Sequence, residues 1–212
     1  MTVPASWWEL PMTAFDVEST GVEVETARIV TATCVTVGPG GVSDRRSWLA
    51  DPGVEIPAGA TEIHGVTTEY AREHGRPARD VVCEIATVLH EAWAAGMPVV
   101  AFNAAYDLTV ELRELARHDL PPLKVGPVLD PYVIDRAVDQ WRKGSRRLAA
   151  VVGHYGVTIG KEHDSTEDAL AAARVLWVQA RRYPKLRAMG LVELQAWQAR
   201  SHAERSASYQ KY

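Results

Sequence analysis

Five residues at three separated places in this sequence combine types and spacings that permit metal-assisted chemistry. Asp16 and Glu18 stand one residue apart in AFDVESTG. Strand side chains alternate, so positions two apart share a face and these carboxylates point the same way. Like charges repel and resist desolvation; such a pair either lies at a solvated strand end or has a cation between its members. Asp107, in AFNAAYDL, falls one turn into a helix that opens directly after an apolar strand, near the sheet edge where α/β proteins place their sites. His163 and Asp168, in KEHDSTEDAL, flank the start of a further helix. Four acids, with a histidine beside the last, provide in their carboxylates the oxygen ligands that hard cations such as Mg²⁺ or Mn²⁺ take. Two such ions about 3.5–4 Å apart activate a water and stabilise the leaving oxygen in a phosphoryl displacement.

Each residue alone has an ordinary structural explanation. Exposed strands carry paired acids, and Asp107 could be a solvated surface group. Asp168 suits the positive end of its helix dipole, beside a Ser165 or Thr166 cap. His163 lies in a polar loop. The combination carries the weight.

The elements that must position these groups follow from apolar patterning. A strand is expected at about 12–18, and the β-branched run at 27–37 ends in the GPGG turn before a hairpin partner at 42–51. A loop-rich segment precedes a helix over roughly 78–95, followed by MPVVAF (97–102), apolar throughout as a doubly covered strand should be. Asn103 is placed to cap the next helix, which Pro121 and Pro122 end. PVLDPYVID supplies another strand and a turn into a helix, and two more helices follow. Such an order predicts an α/β fold, a mixed five-stranded sheet flanked by helices. The tail at 190–210 has apolar residues at Leu191, Leu194, Trp197 and Ala203, an amphipathic helix expected to pack on its own chain.

The 212 residues suffice for one sizeable core. A net charge of −4 argues against holding nucleic acid by bulk positive charge, although not against an enzyme with local basic groups. The dense basic cluster RKGSRR (Arg142, Lys143, Arg146, Arg147) is either a phosphate contact or a solvated helix start. Cys34 and Cys83 both read as small buried hydrophobes in a reduced compartment. With no apolar run long enough to span a bilayer and no signal-peptide pattern at the start, no membrane association is expected and the location expected is cytoplasmic.

FDVESTG, FNAAYD and the His163–Asp168 spacing resemble, in that order, the three motifs of the DEDDh (DnaQ-like) 3′→5′ exonucleases, a branch of the ribonuclease-H-like fold. IHGV (63–66), VLDPYVIDRAVD and RRLAAVVGHYGV are similar to the family too, so the likeness spans about 12–180. Two positions depart from it: Phe102 stands where many relatives have histidine, and Ser19 where threonine is commoner. Neither removes a ligand.

The resemblance implies a nuclease domain at 1–185 with a helical extension at 186–212. It implies that Asp16 bridges two divalent cations, Mg²⁺ or Mn²⁺. Glu18 and Asp168 would complete the site holding the attacking water, Asp107 would support the second ion, and His163 would be the general base, its ordinary pKa of about 6.5 suiting that task. Ser19, Thr20, Gly21, His64 and Phe102 would line the terminal nucleotide, with a loop hydrogen bond the alternative for His64. The implied partner is a single-stranded DNA or RNA 3′ end, DNA favoured, with a polymerase or other replication or repair protein as a further partner. RNA trimming, oligoribonucleotide degradation and a non-catalytic binding or polymerase-associated module are the alternatives.

Overall fold

The computed structural model describes residues 6–158 and 165–209. Three antiparallel strands open the fold: β1 (Met12–Ser19), β2 (Ile29–Gly38) and β3 (Gly41–Asp51). The β2–β3 turn is tight because Gly41 takes a φ of 103°, open to glycine at little cost. Next come α1 (Ala58–His64), α2 (Thr68–His74), β4 (Arg76–Pro77) and α3 (Ala78–Ala94). The chain continues through β5 (Val99–Val100), α4 (Ala104–Arg117), β6 (Val128–Leu129), α5 (Pro131–Val138) and α6 (Leu148–Tyr155), then α7 (Ser165–Arg182), α8 (Pro184–Ala188) and α9 (Leu191–Tyr209).

The sheet runs β4-β3-β2-β1-β5-β6, with β5 parallel to both β1 and β6. The five expected strands are present, and β4 adds a sixth of two residues beside the end of β3. The segment read as loop-rich holds α1 and α2. Each is seven residues long, too short to show a period. Their signals are local instead: Thr67 Oγ1 accepts from Tyr70 N at 3.1 Å, and Gly65, with φ 80°, ends α1.

Helices cover both faces. On one, α3 and α4 pack over Phe15, Val17, Cys34 and Trp48. On the other, α7 lies over Met12, Ala14, Val35 and Val100. Its sheet-facing positions include Ala169, Ala172, Ala173 and Ala180, side chains small enough to let the helix lie close to β1 and β2. Cys34 is buried as expected, but Cys83 is exposed. The correction follows from helical geometry, since α3 buries Val82 and Ile85 and turns position 83 to solvent.

The carboxyl-terminal helix packs on its own chain. Leu194 is fully buried, which for a leucine is worth about 1.5–3 kcal/mol. Gln198 acts as a short surrogate strand on the β6 edge: its Nε2 donates to Val128 O at 2.6 Å, and its Oε1 accepts from Asp130 N at 3.1 Å. Open strand edges otherwise leave such groups unpaired.

Candidate active site

Strand alternation sends Phe15 and Val17 into the core beneath α3 and α4, while Asp16 and Glu18 continue the face on which Met12 and Ala14 meet α7. The first turn of α7 brings Asp168 over the end of that face. Asp16, Glu18 and Asp168 are half-buried, with ligand oxygens within 4.8 Å of one another. Thr33, the β2 partner of Asp16, anchors the helix start, its Oγ1 meeting Ser165 Oγ at 2.7 Å and Thr166 Oγ1 at 3.4 Å.

Asp107 approaches from the other side. β5 pairs only with Thr13 and Ala14, so β1 runs on without a strand neighbour there. Asp107 Oδ1 takes the place of that neighbour, accepting from Val17 N at 3.1 Å. The resulting geometry is costly for anions. Burial and the charge of Asp168 push Glu18 up to about 7. Burial, with Asp130 and Glu18 adding to it, pushes Asp107 up to about 8 against the pull of its backbone hydrogen bonds. Three half-buried carboxylates so close together fit a divalent cation, whose charge would oppose the upward shift of Glu18, while Asp107 lies outside that group of three.

The loop after β1 is built from its own hydroxyls. Ser19 Oγ lies 2.5 Å from Tyr106 Oη and 2.9 Å from Gly21 O, and Tyr106 Oη donates to Gly21 O at 2.5 Å. Thr20 Oγ1 accepts from Arg28 N at 3.0 Å. Ser19 and Thr20 thus brace the loop. His64 ends α1, where its Nδ1 accepts from Val66 N at 3.2 Å, the backbone bond named as its alternative. Phe102 lies just past β5 and meets Tyr132 edge-on at 5.6 Å. His163 lies outside the described residues.

Sequence reasoning missed Asp130. Its buried carboxylate accepts from Asn103 N and Ala104 N, each at 3.0 Å, and from Tyr132 N and Val133 N at 2.9 and 3.3 Å. One side chain therefore caps both α4 and α5, and Asn103, expected to cap α4, makes no side-chain cap bond and instead takes a left-handed φ of 65°. The signal was present in LDPY, an acid before a proline at a helix start. Tyr106 was legible only as a motif position.

The basic cluster divides. Arg142 Nη2 and Arg146 Nη1 bond Asp135 Oδ2 at 2.8 and 2.6 Å, and Tyr155 Oη donates to Asp135 Oδ1 at 3.0 Å. Burial would raise Asp135, but these donors outweigh it and hold the carboxyl below its usual range. Arg142 and Arg146 thus hold Asp135 rather than forming a solvated helix start.

A six-stranded mixed sheet with three long antiparallel strands and short parallel strands at both edges, with acids converging at the end of β1 and the start of α7, defines a ribonuclease-H-like domain with a carboxylate centre. The family described as Exonuclease matches residues 13–176, and the chain belongs to that family. It is 30% identical over 158 residues to a DNA polymerase III subunit epsilon of Treponema pallidum, a match covering 74% of this chain and 70% of that one. It is 28% identical over 162 residues to a DNA polymerase III PolC-type of Clostridium perfringens, covering 76% of this chain. This chain spans only 11% of that polymerase's length. Among solved structures, the zinc-bound complex of E. coli exonuclease I with single-stranded DNA superposes with a TM-score of 0.73 at 18% identity, over 84% of this chain and 42% of that one. Exonuclease I of Methylocaldum szegediense gives 0.70 at 20% identity, over 83% and 41%. These superpositions speak for the fold. Among the described residues, no helix is long and apolar enough to cross a membrane.

Proposed function

We propose that this chain is a metal-dependent 3′→5′ exonuclease that shortens single-stranded nucleic acid, DNA in preference to RNA, releasing nucleoside 5′-monophosphates. The observation that carries the reading is the convergence within 4.8 Å of Asp16 and Glu18, neighbours on β1, with Asp168 at the start of α7, far along the chain. Asp107 holds the adjacent strand amide. Kinship with polymerase III subunits supports DNA as substrate and a polymerase as partner, and exonuclease I in complex with single-stranded DNA supports an unpaired 3′ end. A cytoplasmic location agrees with such relatives. The machinery of this reading falls within 1–185, and 186–212 is an extension, of which Leu194 and Gln198 pack on the domain.

In this reading Asp16, Glu18, Asp107 and Asp168 hold two divalent cations, Mg²⁺ or Mn²⁺. Bound there, the cations supply Lewis-acid stabilisation of the charge that builds on the phosphodiester. His163 takes a proton from the attacking water on an imidazole nitrogen. The water oxygen bonds to phosphorus, the bond from phosphorus to the 3′ oxygen breaks, and that leaving oxygen takes a proton from solvent to become the 3′ hydroxyl of the shortened strand. Thr33 fixes the start of α7 and with it Asp168. The loop braced by Ser19, Thr20 and Tyr106, with Gly21, His64 and Phe102, lines the terminal nucleotide.

The test is incubation with matched 3′-labelled DNA and RNA strands in Mg²⁺ or Mn²⁺. Mononucleotide release from DNA is expected, faster than from RNA, and absent in a folded Asp16→Ala variant. RNA cleaved faster than DNA would transfer the substrate assignment to RNA, and undiminished activity in Asp16→Ala would remove the site.

A further inference from the structure

A cleft runs between α5 and α9. At one end a hollow of about 200 Å³ is bordered by Tyr132, Arg136, His202 and Arg205. At the other a wider one of about 610 Å³ is bordered by Trp141, Lys185, Trp197 and Glu204, and the two share Ser201 and Arg205. Rings and cations alternate along it. The Arg136 guanidinium lies 5.3 Å from the centre of the Tyr132 ring, and Lys185 Nζ lies 5.6 Å from that of Trp197. Trp141 is 85% exposed, an unusual state for the largest side chain and one that no packing role explains.

A ring contact leads from the cleft towards the acidic site. Tyr132 meets Phe102 edge-on, and Phe102 packs on the same sheet face as Met12 and Ala14. Val100 pairs with Ala14, and Phe102 follows in the turn just past the end of β5, on the side of β1 that Asp16 continues. In a chain of net charge −4, this stretch concentrates Arg136, Lys185 and Arg205 against Glu204 alone. Aromatic faces that accept any base, interleaved with cations for phosphates, form the chemistry by which proteins hold unpaired strands. The α5 wall lies within the family match at 13–176, whereas the α8–α9 wall lies beyond it.

We propose that the α5–α9 cleft is the track for the upstream nucleotides of a single strand whose 3′ end reaches Asp16, Glu18 and Asp168. The inference rests on the exonuclease reading for the position of that end. It predicts a substrate-length effect: strands long enough to reach Trp141 bind more tightly than trimers, which occupy only the acidic end.

The test uses the full chain. Binding of a fluorescent oligodeoxynucleotide of about twelve nucleotides, measured in EDTA so that no cleavage occurs, is compared between wild type and a Trp141→Ala/Lys185→Ala variant. Both side chains are exposed, so unfolding temperature should not change. Affinity for the long strand should fall about tenfold, and the salt dependence should weaken by about one phosphate contact. Hydrolysis of a trimer in Mg²⁺ should stay within about twofold of wild type, as neither residue touches the acidic end. Trp141→Phe, which keeps a stacking face, should retain long-strand binding. Unchanged affinity for the long strand would overturn the proposal, as would an equal loss on the trimer. So would displacement of the strand by an acidic peptide but not by unlabelled oligonucleotide, which would make the cleft a protein-docking surface. If wild type hydrolyses neither substrate, the nuclease reading fails, while the EDTA binding comparison still decides the track.

Discussion

Replacing Asp107 by asparagine should make the cation-free protein more stable while removing its activity. The carboxylate is 4% exposed, accepts from Val17 N, and shares its surroundings with Asp130 and Glu18. Asparagine keeps the shape and an oxygen for that amide, so the substitution removes charge and little else. An acid pushed from 3.8 to about 8 by burial prefers its protonated form in the fold, so the native state loses stability as pH rises through that interval. At about 1.4 kcal/mol per pH unit the interval caps the loss near 6 kcal/mol, and relaxation around the site should leave an observed gain of about 2 kcal/mol or more for Asp107→Asn at pH 8. The assay is urea unfolding of both proteins in EDTA and again in Mg²⁺. Mg²⁺ should stabilise wild type by mass action and Asp107→Asn by much less, narrowing or reversing the order. A variant no more stable than wild type in EDTA, or stabilised equally by Mg²⁺, would refute both the buried-charge argument and the place of Asp107 among the cation's ligands.

Three further outcomes follow from the same geometry. Glu111 on α4 is fully buried, neither carboxyl oxygen has a hydrogen-bond partner, and burial together with Glu114 holds its pKa well up; Glu111→Met should stabilise the fold by about 1–3 kcal/mol at neutral pH, with a margin that grows above pH 4.5, and urea titration showing a loss would disprove the orphan carboxyl. Thr33→Val removes the hydroxyl that pins Ser165, so unfolding free energy should fall by about 1 kcal/mol while turnover falls about tenfold as Asp168 loosens; a normal turnover would mean that α7 positions Asp168 unaided. Glu18, pushed up to about 7, must lose its proton before it can hold a cation, so the Mg²⁺-induced rise in unfolding temperature should be small below about pH 6 and should level off above about pH 8, whereas a rise independent of pH would exclude Glu18 as a ligand.

The sequence carried the sheet well where one face was buried on each side. β1 and β2 are legible because alternation in MTAFDVES and the β-branched run from Ile29 to Val37 follow from packing between α3–α4 and α7. The two-residue strands were not legible at their true lengths. MPVVAF is apolar throughout, but only Val99 and Val100 pair, and nothing local marks where β1 loses its neighbour. That loss creates the opening filled by Asp107, so the acid could be suspected from its position but not its bond to Val17. Likewise RKGSRR shows six residues of polar chain with no hint that Asp135, seven and eleven residues before Arg142 and Arg146, draws them inward. Ion pairing of this kind depends on which side chains the fold buries, a property of tertiary structure.

Asp130 ties these regions together in a way no single motif expresses. Its carboxylate caps α4, which carries Asp107, and α5, which carries Tyr132 and Arg136. Its own amide donates to Gln198 of α9, the other wall of the cleft. Burial pushes Asp130 up to about 6 even against four backbone donors, so at neutral pH it stays ionised through those bonds. One buried residue thus hydrogen-bonds to the starts of α4 and α5 and to α9. Because Gln198 holds the Asp130 amide, its loss should disturb the start of α4 before it disturbs the sheet, which amide exchange at Asn103 and Ala104 would report.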